Sequence, residues 1–333
     1  MTRAHLIGIG GAGMSGYARC LHALGVTVSG SDRADSPVLA DLRALGIDAR
    51  AGHDAANLPD GDDVRVFHSS AIPPENPERV EAQRRGIADE PRAALLAHFS
   101  ALKRTIAVAG AHGKTTTTSM LAHALLELGA QPSYLIGGDL RSTGLNAEWR
   151  EGEWLVVEAD ESDRSMLALN VEIAVVLNVE LDHHATYASL AELQAVYDEF
   201  ERKAAHVVRP PAAPPALELL VPGAHNRSNA AAALEALVLA GFDRADATRA
   251  LATFPGAGRR FETVGRSASG AQLVDDYAHH PTEVAATIAA ARTLEPERVV
   301  AVFQPHLFSR TAALHREFGA ALAGADVVAL LDV

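Results

Sequence analysis

A chain of 333 residues exceeds one ordinary domain, at roughly 100–200 residues each, and its 48% apolar content supplies several buried cores. The net charge of −13 argues against nonspecific attraction to nucleic acid or anionic membrane, and no apolar run approaches the roughly 18 residues of a membrane span. The single cysteine, Cys20, excludes an intramolecular disulfide framework and suits the cytoplasm. The opening MTRAHLIGIGGAGMSG is not read as a signal peptide, because glycines interrupt its apolar stretch and it reads as a strand entering a turn.

Strand-like runs alternate with helical patterns along nearly the whole chain, which predicts an α/β fold of three consecutive α/β domains with parallel sheets. Strands at 5–9, 26–30 and 64–69 with helices at 13–24, 37–45, 76–85 and 92–99 form a doubly wound unit over residues 1–100. The second unit, 101–258, opens on the apolar run Thr105–Ala109, has strands near 154–158 and 173–178, and closes with helices 226–240 and 244–253. Pro255, Gly256 and Gly258 mark its end. Residues 209–215, RPPAAPP, form a connector unsuited to a central strand or helix. The third unit, 259–333, has strands near 259–265, 272–276, 298–303 and 326–332 with helices 281–293 and 309–322. Its closing VVALLDV reads as a buried strand with nothing after it. At about 75 residues against the usual 100–150 of a domain, this unit is expected to be incomplete.

Two phosphate motifs stand out. Gly8-x-Gly10-x-x-Gly13 lies between a strand and a helix, with Asp32 ending the next strand. That spacing lets backbone approach a pyrophosphate on a helix N-terminus while the acid takes a ribose hydroxyl, and it does not separate NAD from a UDP-sugar. Gly110-Ala-His112-Gly113-Lys114-Thr115-Thr116 departs from a strict P-loop, with Val108 where the first glycine would stand. Its amides can still cradle phosphates, Lys114 can neutralise them, and a threonine hydroxyl can ligate a divalent ion. Four successive threonines are poor helix-interior residues, which favours a functional reason for the first two.

Acidic clusters follow two further strands, at Glu158-Ala-Asp160-Glu161-Ser-Asp163 and Asn178-Val-Glu180-Leu-Asp182-His183-His184. Carboxylates at strand ends beside a phosphate loop suit Mg2+, and a histidine among them can serve as metal ligand or base. Oxygen donors dominate and thiols are absent, which favours Mg2+ or Mn2+ over Zn2+. Asn226 and Asn229 share one helix face and can read a base edge, although capping alone accounts for one of them. Arg259-Arg260 suits a γ-phosphate, and Asp276 suits a ribose.

Together, HLIGIGGAGMSG, AGAHGKTTTTSM, VVEADESD, NVELDH, VPGAHNRSNAAAA, GRRFE, DDYAHHPTE and FQPHLFSR, spanning residues 5–310, resemble the Mur ligase family. GIGGAGMSG and FQPHLFSR favour its L-alanine-adding member over the relative that joins a tripeptide to the same nucleotide sugar. The resemblance implies a Rossmann-like UDP-sugar domain, a P-loop ATPase domain and a Rossmann-like amino-acid domain. It implies ATP-dependent ligation of L-alanine to the lactyl carboxylate of UDP-N-acetylmuramate in peptidoglycan synthesis, through an acyl phosphate.

By the same resemblance Gly10, Gly11, Ala12, Gly13, Met14 and Ser15 contact the UDP-sugar, with Asp32, Ser69 and Ser70 nearby. Gly110, His112, Gly113, Lys114, Thr115 and Thr116 hold ATP phosphates, Asn226 and Asn229 adenine, Arg260 the γ-phosphate and Asp276 the ribose. Thr115, Glu158 and His183 ligate magnesium; Lys114, His183 and Arg260 are the catalytic set. His279, His306 and Arg310 lie towards the amino acid. The chain departs from the family at Ala111, where threonine is usual, and at Ala185, where aspartate is usual. The segment 200–220 is also short, so strands before VPGAHN are expected to be missing. A dehydrogenase would account for Gly8–Gly13 and Asp32 alone. A nucleotide-binding chain without ligase activity is the other rival, and oligomeric state stays open.

Overall fold

The computed structural model describes residues 1–61, 63–181 and 186–333. Near-continuous apolar runs bury a strand on both faces, and the β1 residues (Arg3–Ile7) are buried after the first. Around β1 the chain winds α1 (Ala12–Ala23), β2 (Thr27–Asp32), α2 (Pro37–Ala44), β3 (Asp48–Ala51), β4 (Val64–His68), α3 (Pro77–Arg84), β5 (Asp89–Pro91) and α4 (Arg92–Ser100). The sheet order is β3-β2-β1-β4-β5, all parallel. The strand order therefore reverses beside β1, and the glycine-rich turn leaves the carboxyl end of that strand, where open α/β sheets bind ligands. The short β3 and β5, absent from the sequence reading, carry too few apolar residues to signal themselves.

The second unit runs β6 (Arg104–Ala109), α5 (Lys114–Glu127), β7 (Ser133–Leu140), β8 (Leu145–Glu148), β9 (Trp154–Glu158), β10 (Ile173–Val176), α6 (Leu190–Lys203), β11 (His206–Val208), α7 (Ala224–Leu239) and α8 (Arg244–Ala252). Its order is β11-β10-β6-β9-β7-β8. The sheet is parallel as expected from β11 to β7, and β8 adds an antiparallel edge as a hairpin with β7. Residues 209–223 form no strand or helix, as their prolines dictate.

The third unit holds β12 (Glu262–Arg266), β13 (Gln272–Asp275), α9 (Pro281–Arg292), β14 (Val300–Phe303), α10 (Phe308–Leu322) and β15 (Val327–Leu330). Here β12 and β13 are antiparallel and β14 and β15 parallel, in two separate two-stranded sheets. The reading of the last strand as buried is corrected: every residue of β15 is exposed. It pairs with β14 alone, and the core beneath, Val284, Ile288, Phe303, Phe318 and Leu322, is small. The third unit joins the second through a turn in which Arg259 (φ 54°) and Phe261 (φ 49°) both hold left-handed backbone around Arg260, a conformation costly for side-chain-bearing residues.

The first two units share one core. Phe99 of α4 packs between Tyr17 of α1 and Trp149 beyond β8, at 6.0 and 5.4 Å between ring centroids. Asn146 Nδ2 donates to the Ala12 carbonyl at 2.9 Å. A Cβ added at Gly16 would stand 2.8 Å from Ala147 Cβ, so close approach of α1 to the hairpin requires glycine there. Gly16→Val should force the two apart and cost about 1–3 kcal/mol. Urea denaturation of the variant checks this, with a fall in midpoint expected.

Candidate active site

Side chains cap the helices α2, α3 and α8. Ser36 accepts from Leu39 N, Asn76 from Glu78 N, and Asp243 from Ala245 N. In contrast α1, α5 and α7 start at Gly11, Gly113 and Gly223 without a side-chain cap. Their first-turn N–H groups are left for an anion, and the helix dipole adds to that attraction. The α1 and α5 turns and the third unit enclose one cavity, and the α5 and α7 turns another.

The first cavity, about 400 Å3, is lined by Gly13 of α1, Arg92, Lys114, Glu158, Arg260 and His279 among others. Lys114 Nζ donates to the Gly110 carbonyl at 2.7 Å and to both Glu161 oxygens at 3.0 and 2.9 Å. Burial alone would lower the Lys114 ammonium, but Glu161, Asp160 and Glu158 hold it above the ordinary lysine range. Glu158 Oε1 accepts from Gly137 N at 2.5 Å. A Cβ on Gly137 would lie 3.0 Å from both Glu158 oxygens and 3.2 Å from Thr115 Oγ1. Burial pushes the Glu158 carboxyl above its usual range, against the Gly137 amide, Lys114 and Arg260. An open cradle of a hydroxyl and a carboxylate that burial penalises fits a hard divalent cation. Arg260 Nη2 reaches Thr115 Oγ1 at 3.3 Å, and its guanidinium lies 5.5 Å from the Tyr277 ring centroid.

The second cavity, about 210 Å3, is lined by His112, Thr116, Asn226, Asn229, Asp276 and the connector residue Pro210 among others. Asn226 and Asn229 are both buried, and Asn226 Nδ2 is fixed on the Pro222 carbonyl at 2.6 Å. Asp276 accepts from Phe261 N and Ala278 N, both at 2.7 Å, and burial raises its carboxyl. A buried amide pair above an apolar floor that includes Phe254 and Leu177 suits a nucleobase.

Several predicted residues occupy other places. Met14 is 2% exposed within the core rather than in the cavity. Asp32 accepts from Gly10 N at 2.8 Å and Arg33 N at 2.7 Å, so it clamps the glycine turn. Gly11 N donates to the Gly8 carbonyl. Ser15 lines a neighbouring cavity with Thr115, Gly137 and Arg260. Ser69 packs beside Gly8 with Ser70 next to it, and neither lines the two cavities. His306 is exposed with ring centroids 6.4 Å from Tyr277 and His279, while Arg310 is buried. His183, Asp182 and Ala185 lie outside the described residues. Of the threonine run, Thr115 and Thr116 face cavities, whereas Thr117 and Thr118 are buried with no hydrogen-bond partner for their hydroxyls.

Sequence reasoning passed over Arg92. It opens α4, where a cation opposes the helix dipole, and that misfit was the available signal. Its guanidinium stands 3.8 Å from where a Gly13 Cβ would be. It pairs with Asp160 at 3.0 Å and Asp163 at 2.7 Å, bridging the first unit to the acidic loop of the second.

Three α/β units meeting at a glycine-rich turn and a phosphate loop define a multi-unit nucleotide-binding protein. Three family models match the chain: "Mur ligase family, catalytic domain" at residues 3–104, "Mur ligase middle domain" at 108–200, and "Mur ligase, glutamate ligase domain" at 259–333. The chain belongs to the Mur ligase family. It is 44% identical over 387 residues to UDP-N-acetylmuramate–L-alanine ligase of Acidothermus cellulolyticus, covering all of this chain and 80% of that one. Identity to the ligase of the same name from Nocardioides sp. is 45%, over all of this chain and 81% of that one. Among solved structures, UDP-N-acetylmuramate-alanine ligase of Thermotoga maritima superposes with a TM-score of 0.86 at 29% identity, over 99% of this chain and 85% of that one. The UDP-N-acetylmuramate:L-alanyl-gamma-D-glutamyl-meso-diaminopimelate ligase of Neisseria meningitides gives 0.69 at 27%, over 80% of this chain and all of that one.

Gly113 sits at φ 86°, and a Cβ there would lie 2.7 Å from Asn229 Oδ1. Strain of about 1–3 kcal/mol in Gly113→Ala should weaken ATP binding roughly ten- to a hundredfold. Calorimetric titration with a non-hydrolysable ATP analogue measures this directly.

Proposed function

We propose that this chain uses ATP to join L-alanine to the lactyl carboxylate of UDP-N-acetylmuramate, a step in making peptidoglycan precursor in the cytoplasm. The observation that carries the reading is a cavity walled by Gly13, Lys114 and His279, one residue from each unit. Two relatives bearing that activity in their names are 44% and 45% identical over the whole chain. Residues 1–100 would hold the nucleotide sugar, 101–258 ATP, and 259–333 the amino acid. Among the described residues no helix is long and apolar enough to cross a membrane.

A carboxylate and an amine do not condense unaided in water. The reading has the lactyl carboxylate attack the γ-phosphorus of ATP, with ADP leaving. The alanine amine then attacks the resulting acyl carbon, and phosphate departs from the tetrahedral intermediate. The glycine turn 8–13 and the α1 amides orient the diphosphate of the sugar nucleotide. Lys114, with Arg260 beside Thr115, neutralises charge on the phosphoryl oxygens. In doing so Lys114 exchanges Glu161 for phosphate. Asn226 and Asn229 hold the adenine, and Asp276 stands at the ribose side of that cavity. Thr115 and Glu158 would hold magnesium, which supplies charge neutralisation at the phosphates when bound. His279, near Tyr277 at the third-unit wall, would face the incoming amine. Enclosure between units keeps water from the acyl phosphate.

Phosphate release that requires both UDP-N-acetylmuramate and L-alanine supports this reading. Release with the tripeptide in place of alanine would assign the chain to the recycling relatives, and nucleotide binding without release would make it a binding protein. The exposed apolar residues of β12–β15 are the observation favouring that last reading. Lys114→Ala is expected to lower kcat by roughly a hundred- to a thousandfold while the Kd for UDP-N-acetylmuramate stays within about threefold; near-normal turnover removes the role given to Lys114. Arg92→Met should raise the KM for UDP-N-acetylmuramate by about tenfold or more, and steady-state kinetics at saturating ATP and alanine read that change.

A further inference from the structure

A second set of donor atoms lies apart from Thr115 and Glu158. His112 of the phosphate turn, Glu180 beyond β10 and His280 at the start of α9 each offer one ligand atom, all within 4.8 Å of one another. His112 Nε2 and Glu180 Oε2 stand 3.3 Å apart. Two ligands bonded to one zinc ion at about 2.0–2.1 Å and a tetrahedral angle are themselves about 3.3 Å apart. These two atoms already have the spacing of one edge of such a site.

The surroundings orient both groups. His112 Nδ1 faces Glu283 Oε1 at 3.1 Å, so the carboxylate can take the Nδ1–H and leave the Nε2 lone pair towards Glu180. Metal-binding histidines are held by such an outer carboxylate. Thr282 Oγ1 donates to Glu180 Oε2 at 3.0 Å, fixing the second ligand from α9. The His280 ring is buried, 4.6 Å from the His112 ring at 37°. Its ligand nitrogen lies within 4.8 Å of the other two ligand atoms, so drawing it to a tetrahedral edge asks for a side-chain shift of at most about 1.5 Å.

We propose that His112, Glu180 and His280 form a site for one divalent transition ion of the zinc class, and that the bound ion clips α9 of the third unit to the phosphate turn of the second. Two imidazoles and one carboxylate select zinc, cobalt or nickel over magnesium. The ligands come from both units, so binding fastens one to the other. The inference stands on these residues alone and does not depend on the ligase reading.

The test uses the full chain, stripped with chelator and titrated with Co2+, read by its visible ligand-field absorption, and then with Zn2+ by calorimetry. Expected are one Co2+ per chain, its displacement by Zn2+, and a rise in Tm on zinc addition. His280→Gln and Glu180→Gln should each weaken zinc binding by about tenfold or more and abolish the rise in Tm. Glu158→Gln, altered in the proposed magnesium set, should bind zinc within about twofold of the parent chain. The Glu180 side chain is 41% exposed, so its variant keeps the test open should the buried His280 change disturb folding, which circular dichroism reports. The proposal fails if no stoichiometric binding occurs, if Glu180→Gln or a folded His280→Gln leaves affinity unchanged, or if Glu158→Gln loses zinc equally.

Discussion

The site depends on one backbone constraint: β6 must hand the chain to α5 with no side chain in the way. Gly110 at φ 147° and Gly113 at φ 86° make that turn, and each is crowded on the face where a Cβ would point. Leu177 and Asn178 stand against Gly110, and Asn229 against Gly113. The end of β10 and the second turn of α7 are thus drawn onto the phosphate turn because it lacks bulk. The Asn229 wall of one cavity and the glycine turn of the other are two sides of the same close packing.

Around that turn, charge is arranged in pairs that a ligand can dissolve. Lys114 rests on Glu161, Arg92 on Asp160 and Asp163, and Arg260 near Glu158. Lys114 and Arg92 are each held by a local carboxylate instead of standing unpaired in a half-buried site, which would be expensive. Anionic ligands therefore compete with these carboxylates for the same cations. The acidic composition of the chain and its affinity for phosphates are compatible for that reason.

Much of this was legible from sequence wherever one residue type answers one physical demand. Glycines at 8, 10 and 13 and at 110 and 113 announced both turns, because only they allow the backbone to be approached. Long buried strands such as Arg104–Ala109 and Trp154–Glu158 showed in their unbroken apolar runs. The edge strands β3, β8 and β11 did not, since short edges are defined by their neighbours more than by their own residues, and the two glycines of β7 (SYLIGGDL) broke its apolar run. Asp32, Met14 and His306 were assigned to ligands by position in a motif, yet what decides their place is a backbone amide, a core and an exposed surface. Arg92 was missed because its meaning arises only when α4 meets the acidic loop, 68 residues away from Asp160.

The turn at Arg259–Phe261 has a mechanical consequence. The first two units share a core, whereas the third is joined to them through this turn and through the contacts of α9 with His112 and Glu180. Arg260 stands at that attachment between two left-handed residues, which makes it the axle as well as a side chain of the cavity. Any swing of the third unit must reorient the guanidinium beside Thr115, and any ligand that captures the guanidinium must apply torque to the third unit. Phosphate contact and the arrival of the last wall of the cavity are geared together, with no lever between them.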